Sequence, residues 1–64
     1  MKMSEKAFHA LFEGTRVRVV WHGGNGPHEY TIKHDSFKIA RMHDRFGAFV
    51  GTYDDALSIE VVPR

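Results

Sequence analysis

The sequence predicts a mainly β fold: an N-terminal α-helix followed by a five-stranded, strongly bent antiparallel small barrel. Three observations predict it. Beyond Gly14 apolar residues recur with a period of two, not 3.6. Clusters of Gly, Asn, Asp and Pro interrupt them at short intervals. Gly47 and Gly51 stand inside a strand-like run, where a small closed barrel needs a sharp bend. One domain spanning residues 1–64 is expected.

Met1 to Gly14 reads as one short amphipathic helix. Ser4 is its N-cap, and Glu5 in the first turn suits the positive end of the helix dipole. Phe8, Leu11 and Phe12 fall at i, i+3 and i+4 and make one apolar stripe. Gly14 stands where a helix commonly ends in a left-handed residue. So short a helix does not persist alone in water. It is expected to lie over one end of the barrel, with docking to a partner as the alternative.

Thr15–His22 is the first strand, with Val17, Val19 and Trp21 on one face and Arg16, Arg18, Val20 and His22 on the other. Residues 23–27, Gly-Gly-Asn-Gly-Pro, form a reversing loop. A phosphate cradle, the alternative, needs a helix starting directly after the loop and usually a Lys, whereas a strand follows here. His28–Lys33 is the second strand, with Tyr30 and Ile32 inward. Phe37–Met42 is the third, with Phe37 and Ile39 inward; the alternation fails beyond Ile39, as a bulge or sharp bend explains. Phe46–Tyr53 is the fourth, with Gly47, Phe49, Gly51 and Tyr53 on one face. Leu57–Val62 is the fifth, where Leu57, Ile59 and Val61 alternate with Ser58, Glu60 and Val62. No internal repeat, linker or low-complexity segment is visible.

A chain of 64 residues buries only about 60% of the surface its unfolded form exposes, so its core is marginal alone. It has no cysteine, which excludes disulfides and thiolate zinc sites. Support from further subunits is expected instead. Nine Lys and Arg against eight Asp and Glu leave a net charge of +1, too even to announce nucleic acid by itself. No apolar run is long enough to cross a membrane, and the first residues lack the apolar core of a signal peptide. A soluble, cytoplasmic protein is expected. The five His lack the ligand spacing of a zinc site, and no nucleophile–base pair is readable. No metal, cofactor or catalytic residue is therefore assigned, and an enzyme is not expected.

Several short stretches, in order, carry a likeness to a known family. These are Phe8 to Leu11, Asn25-Gly26, Asp35-Ser36-Phe37 leading into Ile39, and Tyr53 through Ala56-Leu57-Ser58 to Val61-Val62-Pro63. Together they resemble the Sm family, and especially its bacterial branch, Hfq, over nearly the whole chain. The resemblance implies an Sm-like (SH3-type) barrel and a closed ring of identical subunits. In such a ring the fourth strand of one subunit pairs with the fifth of the next. Phe49, Val50, Tyr53, Ile59, Val61 and Val62 are the residues expected at that interface. Neither strand carries an interior Lys or Pro to block edge pairing.

The resemblance also implies RNA binding, with single-stranded uridine- or adenine-rich RNA as partner. His34, Ser36, Phe37 and Tyr53 are the candidate pocket, the aromatic rings as stacking surfaces and the polar groups as donors or acceptors to a base edge. For Phe37 and Tyr53 the core is the competing place. Arg16, Arg18, Lys33, Lys38 and Arg41 are outward cations that a ring repeats into a band, unless they are only a solvated polar face. Two departures weigh against RNA. Asp54-Asp55 replaces the Lys-His pair that follows the tyrosine in Hfq, and carboxylates repel phosphate. The first strand also ends His22-Gly23-Gly24, without the apolar residues of the Hfq distal face. The first expectation is thus a ring-forming RNA-binding protein, with the pairing of a small regulatory RNA and its target as its expected role. The alternative is a small barrel that binds or inhibits a partner protein.

Overall fold

A computed structural model describes residues 2–63. Strands β1 (Arg16–Trp21), β2 (His28–His34), β3 (Ala40–His43), β4 (Phe49–Gly51) and β5 (Ala56–Val61) form one antiparallel sheet in the order β4-β3-β2-β1-β5. A helix, α1 (Glu5–His9), precedes β1, and a 3-10 turn, η1 (Tyr53–Asp55), joins β4 to β5. The mainly β class and the five antiparallel strands are as the sequence predicts.

The barrel, however, is not closed. Strands β4 and β5 are the two ends of the sheet order, and no pairing joins them among the described residues. The cause is local. Strand β4 has only three residues, and the chain after it turns within itself: Asp55 N–H donates to Thr52 O at 3.1 Å, and the Asp55 carboxylate accepts from Thr52 N–H at 2.9 Å. Side chains fill the gap instead. Trp21, at the end of β1, lies so close to Gly51 that a Cβ added there would come within 2.9 Å of the indole. The indole N–H in turn donates to the Tyr30 hydroxyl at 3.1 Å.

The helix is also shorter than Met1–Gly14; Met1 itself lies outside the described residues. Ser4 caps it as expected, its hydroxyl accepting from Ala7 N–H at 3.1 Å, but Ala10 ends it. Phe8 is fully buried while Phe12 is 85% exposed, so the expected stripe does not extend to Phe12. Gly14 is left-handed (φ +85°), but in the turn that delivers its N–H to Ile32 O. The helix lies against the sheet, where His9 Nδ1 accepts from Ala40 N–H at 3.0 Å.

Phe8, Val17, Val19, Ile32, Met42 and Ile59 are the large side chains of the core. The inward phase of β1 and β2 is as predicted, but in β3 to β5 it shifts. Strand β3 starts at Ala40, so Ala40 and Met42 face in, while Phe37 and Ile39 stand outside it. A register irregularity between Met42 and His43 puts Gly51 inside and leaves Phe49 half-exposed, so those two do not share a face. Gly47 belongs to the preceding turn. A second irregularity, at Val20/Trp21, pairs Trp21 with Ala56 and extrudes Leu57. Ala56 is consequently buried and Leu57 exposed, while Ile59, opposite Val19, is inward as predicted and Val61, opposite Val17, is 45% exposed.

Candidate nucleic-acid interface

The outer face of β2, β3 and β4 gathers most of the candidate chemistry. Pairing brings Lys33 opposite Arg41 and Thr31 opposite His43, with Phe49 opposite His43 on the next strand. The Arg41 guanidinium lies 5.7 Å from the Phe49 ring centroid, and the His43 ring meets Phe49 edge-on at 5.9 Å. Such interleaving of cations and aromatic rings suits a polyanion that also carries flat bases.

Phe37 stands beside this face at the β2–β3 tip. Its ring is 82% exposed, because the carboxylate of Asp35 builds the turn beneath it. One Asp35 oxygen accepts from Phe37 N–H at 2.8 Å and Ile39 N–H at 3.0 Å; the other accepts from the Arg41 guanidinium at 3.1 Å. The Ile39 N–H above all, with those of Phe37 and the Arg41 guanidinium, holds the Asp35 carboxyl below the usual range. Of the two places the sequence left for Phe37, the structure assigns the solvent and not the core. Lys38 follows in a left-handed conformation, φ +63°, the one non-glycine residue with positive φ among those described. That conformation costs about 1–2 kcal/mol for an ordinary residue.

The other expected pocket residues divide. His34 is near the tip but engaged: its Nδ1 meets the Glu13 carboxylate at 3.0 Å and its Nε2 faces the His9 carbonyl at 3.3 Å. The backbone N–H of His34, and then its ring, lower the Glu13 carboxyl from its ordinary value. Ser36 is exposed in the turn. Tyr53 is not brought to this face. Its hydroxyl donates to Met3 O, 2.6 Å away, its ring packs 5.3 Å from that of Phe8, and the Lys2 ammonium sits 4.1 Å over it. Arg16 and Arg18 share one partner, Glu29, at 3.3 and 3.7 Å. Lys33, Lys38 and Arg45 have no ion-pair partner among the described residues.

The expected interface residues are likewise split. Val50 on β4 and Val61 on β5 are exposed edge positions. Ile59 is 2% exposed, in the subunit's own core, so only its backbone edge remains for a neighbour. Lys2 already forms an isolated parallel bridge to it. Asp54 and Asp55 are not a strand pair of carboxylates. Both lie in η1, where Asp55 is a capping group, its acidity raised first by Thr52 N–H and then by the Thr52 hydroxyl.

No group of three or more metal-ligating side chains converges among the described residues, and no helix there is long and apolar enough to cross a membrane. The chain matches no protein-family model, and no curated protein or solved structure matches it. The physical reading of the site therefore rests on its own geometry. Sequence reasoning missed Phe46, Arg45 and His43. A signal for Phe46 was present: Asp-x-Phe occurs twice, at Asp35–Phe37 and Asp44–Phe46.

Proposed function

We propose that this protein binds single-stranded, uridine- or adenine-rich RNA as a cytoplasmic, homo-oligomeric ring of Sm-like subunits. One observation carries the reading: a phenyl ring, Phe37, held at 82% exposure on a braced turn and followed by a lysine in a strained backbone conformation. A solvent-facing phenyl adds nothing to the core, and glycine would suit the Lys38 position better. Both choices make sense where a base stacks on the ring and a phosphate meets the ammonium. Lys33 and Arg41 continue the cationic surface.

Ring formation is supported by the two outer strands, β4 and β5, whose outer edges carry no strand pairing among the described residues beyond the isolated Lys2–Ile59 bridge. Each presents backbone groups and apolar side chains, Val50 on β4 and Leu57 and Val61 on β5, that a second copy would cover. Assembly would also repeat the Phe37 tip around one circle, so that weak contacts act together on one RNA strand.

The test is oligonucleotide binding across a salt series. Affinity for oligouridylate or oligoadenylate should fall linearly with salt on logarithmic axes, and Phe37→Ala should cost about 1–3 kcal/mol of binding without unfolding. Absence of binding at low salt would reject the reading.

A second reading, a protein-interaction module, has its own observation. Leu11, Phe12, Val61, Val62 and Pro63 line a mostly apolar groove beside the helix. It takes precedence if the RNA test fails.

A further inference from the structure

The β3–β4 tip repeats the backbone bonds and the one-oxygen aspartate bonds of the β2–β3 tip; the Arg41 bond to the other Asp35 oxygen has no counterpart at Asp44. Asp44 carries one oxygen that accepts from Phe46 N–H and Ala48 N–H, both at 2.9 Å, as Asp35 accepts from Phe37 and Ile39. The backbones close alike: Asp35 N–H to Ile39 O at 3.1 Å, Asp44 N–H to Ala48 O at 2.9 Å. Lys38 N–H returns to Asp35 O, and Gly47 N–H to Asp44 O. The fourth residue is left-handed in both, Lys38 at φ +63° and Gly47 at +87°. Each turn therefore lifts its third residue off the sheet, and in each that residue is a phenylalanine, 82% exposed.

Nothing in the packing requires Phe46. The turn is held by Asp44, by backbone groups and by the His43 ring, whose Nδ1 lies 3.0 Å from Gly47 O, and the Phe46 ring touches no part of the core cluster. A cation accompanies it, as at the first tip. The Arg45 guanidinium stands 5.0 Å from the Phe46 ring centroid and has no carboxylate partner among the described residues. Arg16, His28 and Tyr30 line the hollow beside it and carry hydrogen-bond donors, together with the carboxylates of Asp44 and of Glu29, which pairs with Arg16 at 3.3 Å.

We propose that Phe46 and Arg45 form a second stacking point for the same single strand of RNA that meets Phe37, the outer face of β3 being the track between them. This rests on the nucleic-acid reading above. Strand β3, four residues at about 3.3 Å each, separates the tips and turns Arg41 and His43 outward between them. A strand of RNA thus meets a ring at either end and two nitrogenous side chains along the way. OB folds, domains of a few strands, take about 4–16 nucleotides each, so a single strand of RNA can reach both ends of a domain of this kind.

The test compares a labelled uridine dinucleotide, too short to reach both rings along the roughly 13 Å of β3, with an oligouridylate of about sixteen nucleotides, by fluorescence anisotropy. The short oligomer engages one tip at a time, so Phe46→Ala should change its affinity no more than about twofold while the Phe37 tip remains. The long oligomer should lose roughly 5- to 150-fold, the equivalent of removing one stacked base. Phe46→Leu should lose nearly as much, because bulk is kept and the flat ring is not. Circular dichroism of both variants should match the wild type, since the ring packs on nothing in the core. If Phe46→Ala leaves the long oligomer unaffected while Phe37→Ala weakens it, the second point is wrong and the first stands. An equal loss for both lengths would also overturn it, since one tip would then hold the RNA alone. If the wild type binds neither oligomer, the underlying reading fails with it.

Discussion

Two phenyl rings show how differently the core and the turns of this protein are used. Phe8, from a five-residue helix, is fully buried and packs against His9 and Tyr53, with ring centroids 5.4 and 5.3 Å away. Phe37, on a turn braced by Asp35, is 82% exposed. The same side chain serves the core in one place and has no packing role in the other. What separates them is backbone bonding. The helix is held to the sheet from His9 to Ala40, which seals Phe8 beneath it. The turn satisfies its own N–H groups and so needs no covering side chain. Inside the sheet, then, geometry minimises exposed apolar surface; at the tips it maintains it.

The largest test of that contrast is Phe8→Ala. A fully buried phenylalanine removed from a core costs about 3–5 kcal/mol, a large share of the stability of a domain this small. The expected outcome is loss of the folding transition in thermal denaturation, whereas Phe37→Ala should move it by less than about 0.5 kcal/mol. Similar losses for the two would erase the distinction.

Gly51→Ala comes next. Its Cβ would meet Trp21 carbons at 2.9 and 3.0 Å and the Asp55 carboxylate at 3.3 Å, all belonging to the side chains that fill the sheet's open side. An overpacking cost of about 1–3 kcal/mol is expected, read by urea denaturation together with a change in Trp21 fluorescence. An unaltered midpoint would show that the indole moves aside freely.

Lys38→Gly sharpens the comparison from the other side. Relief of the left-handed strain, about 1–2 kcal/mol, less the added chain entropy of glycine, about 0.5–1 kcal/mol, should leave a modest gain in stability. RNA affinity should fall in the same variant. A loss of stability would mean that the lysine side chain supports the turn, and a gain without loss of binding would remove its functional role.

Acid is expected to have the smallest effect. Asp35, Asp55 and Glu13 have carboxyls lowered in the folded protein, chiefly by the backbone N–H groups of Ile39, Thr52 and His34 respectively. Their contribution is therefore complete above the ordinary carboxylate range, near pH 4, and is lost as pH falls through the lowered values. Protection of the Phe37 and Ile39 amides, taken relative to the intrinsic exchange rate at each pH, should fall over that window, and Asp35→Asn should remove the fall. Protection insensitive to acid would show that Asp35 does not brace the tip.

Much of this was legible in the residues themselves. Alternation in β1 identified Val17 and Val19 as core and Arg16 and Arg18 as outward, because that strand runs unbroken. Ser4 announced the helix start by its capping chemistry. Phe37 is left between the core and solvent because alternation fixes faces only after a strand's first residue is known. Asp35 delays that start to Ala40 by holding five residues in a turn. The repetition of that turn at Asp44 was written in the sequence, but as two Asp-x-Phe triplets whose significance appears only once both rings are seen in solvent.

By itself, then, the sequence determined the number of strands, their antiparallel succession and the inward faces of the first two, since period-two patterning and turn chemistry are local properties. Tertiary structure decided whether the sheet closes, where β3 to β5 shift register, and what becomes of Tyr53. Those outcomes depend on contacts between residues far apart in the chain: Trp21 against Gly51, Trp21 paired with Ala56, and the Tyr53 hydroxyl on Met3. Such contacts compete over bulk and hydrogen bonds only after the chain has folded back upon itself, and no stretch of sequence read alone contains that competition.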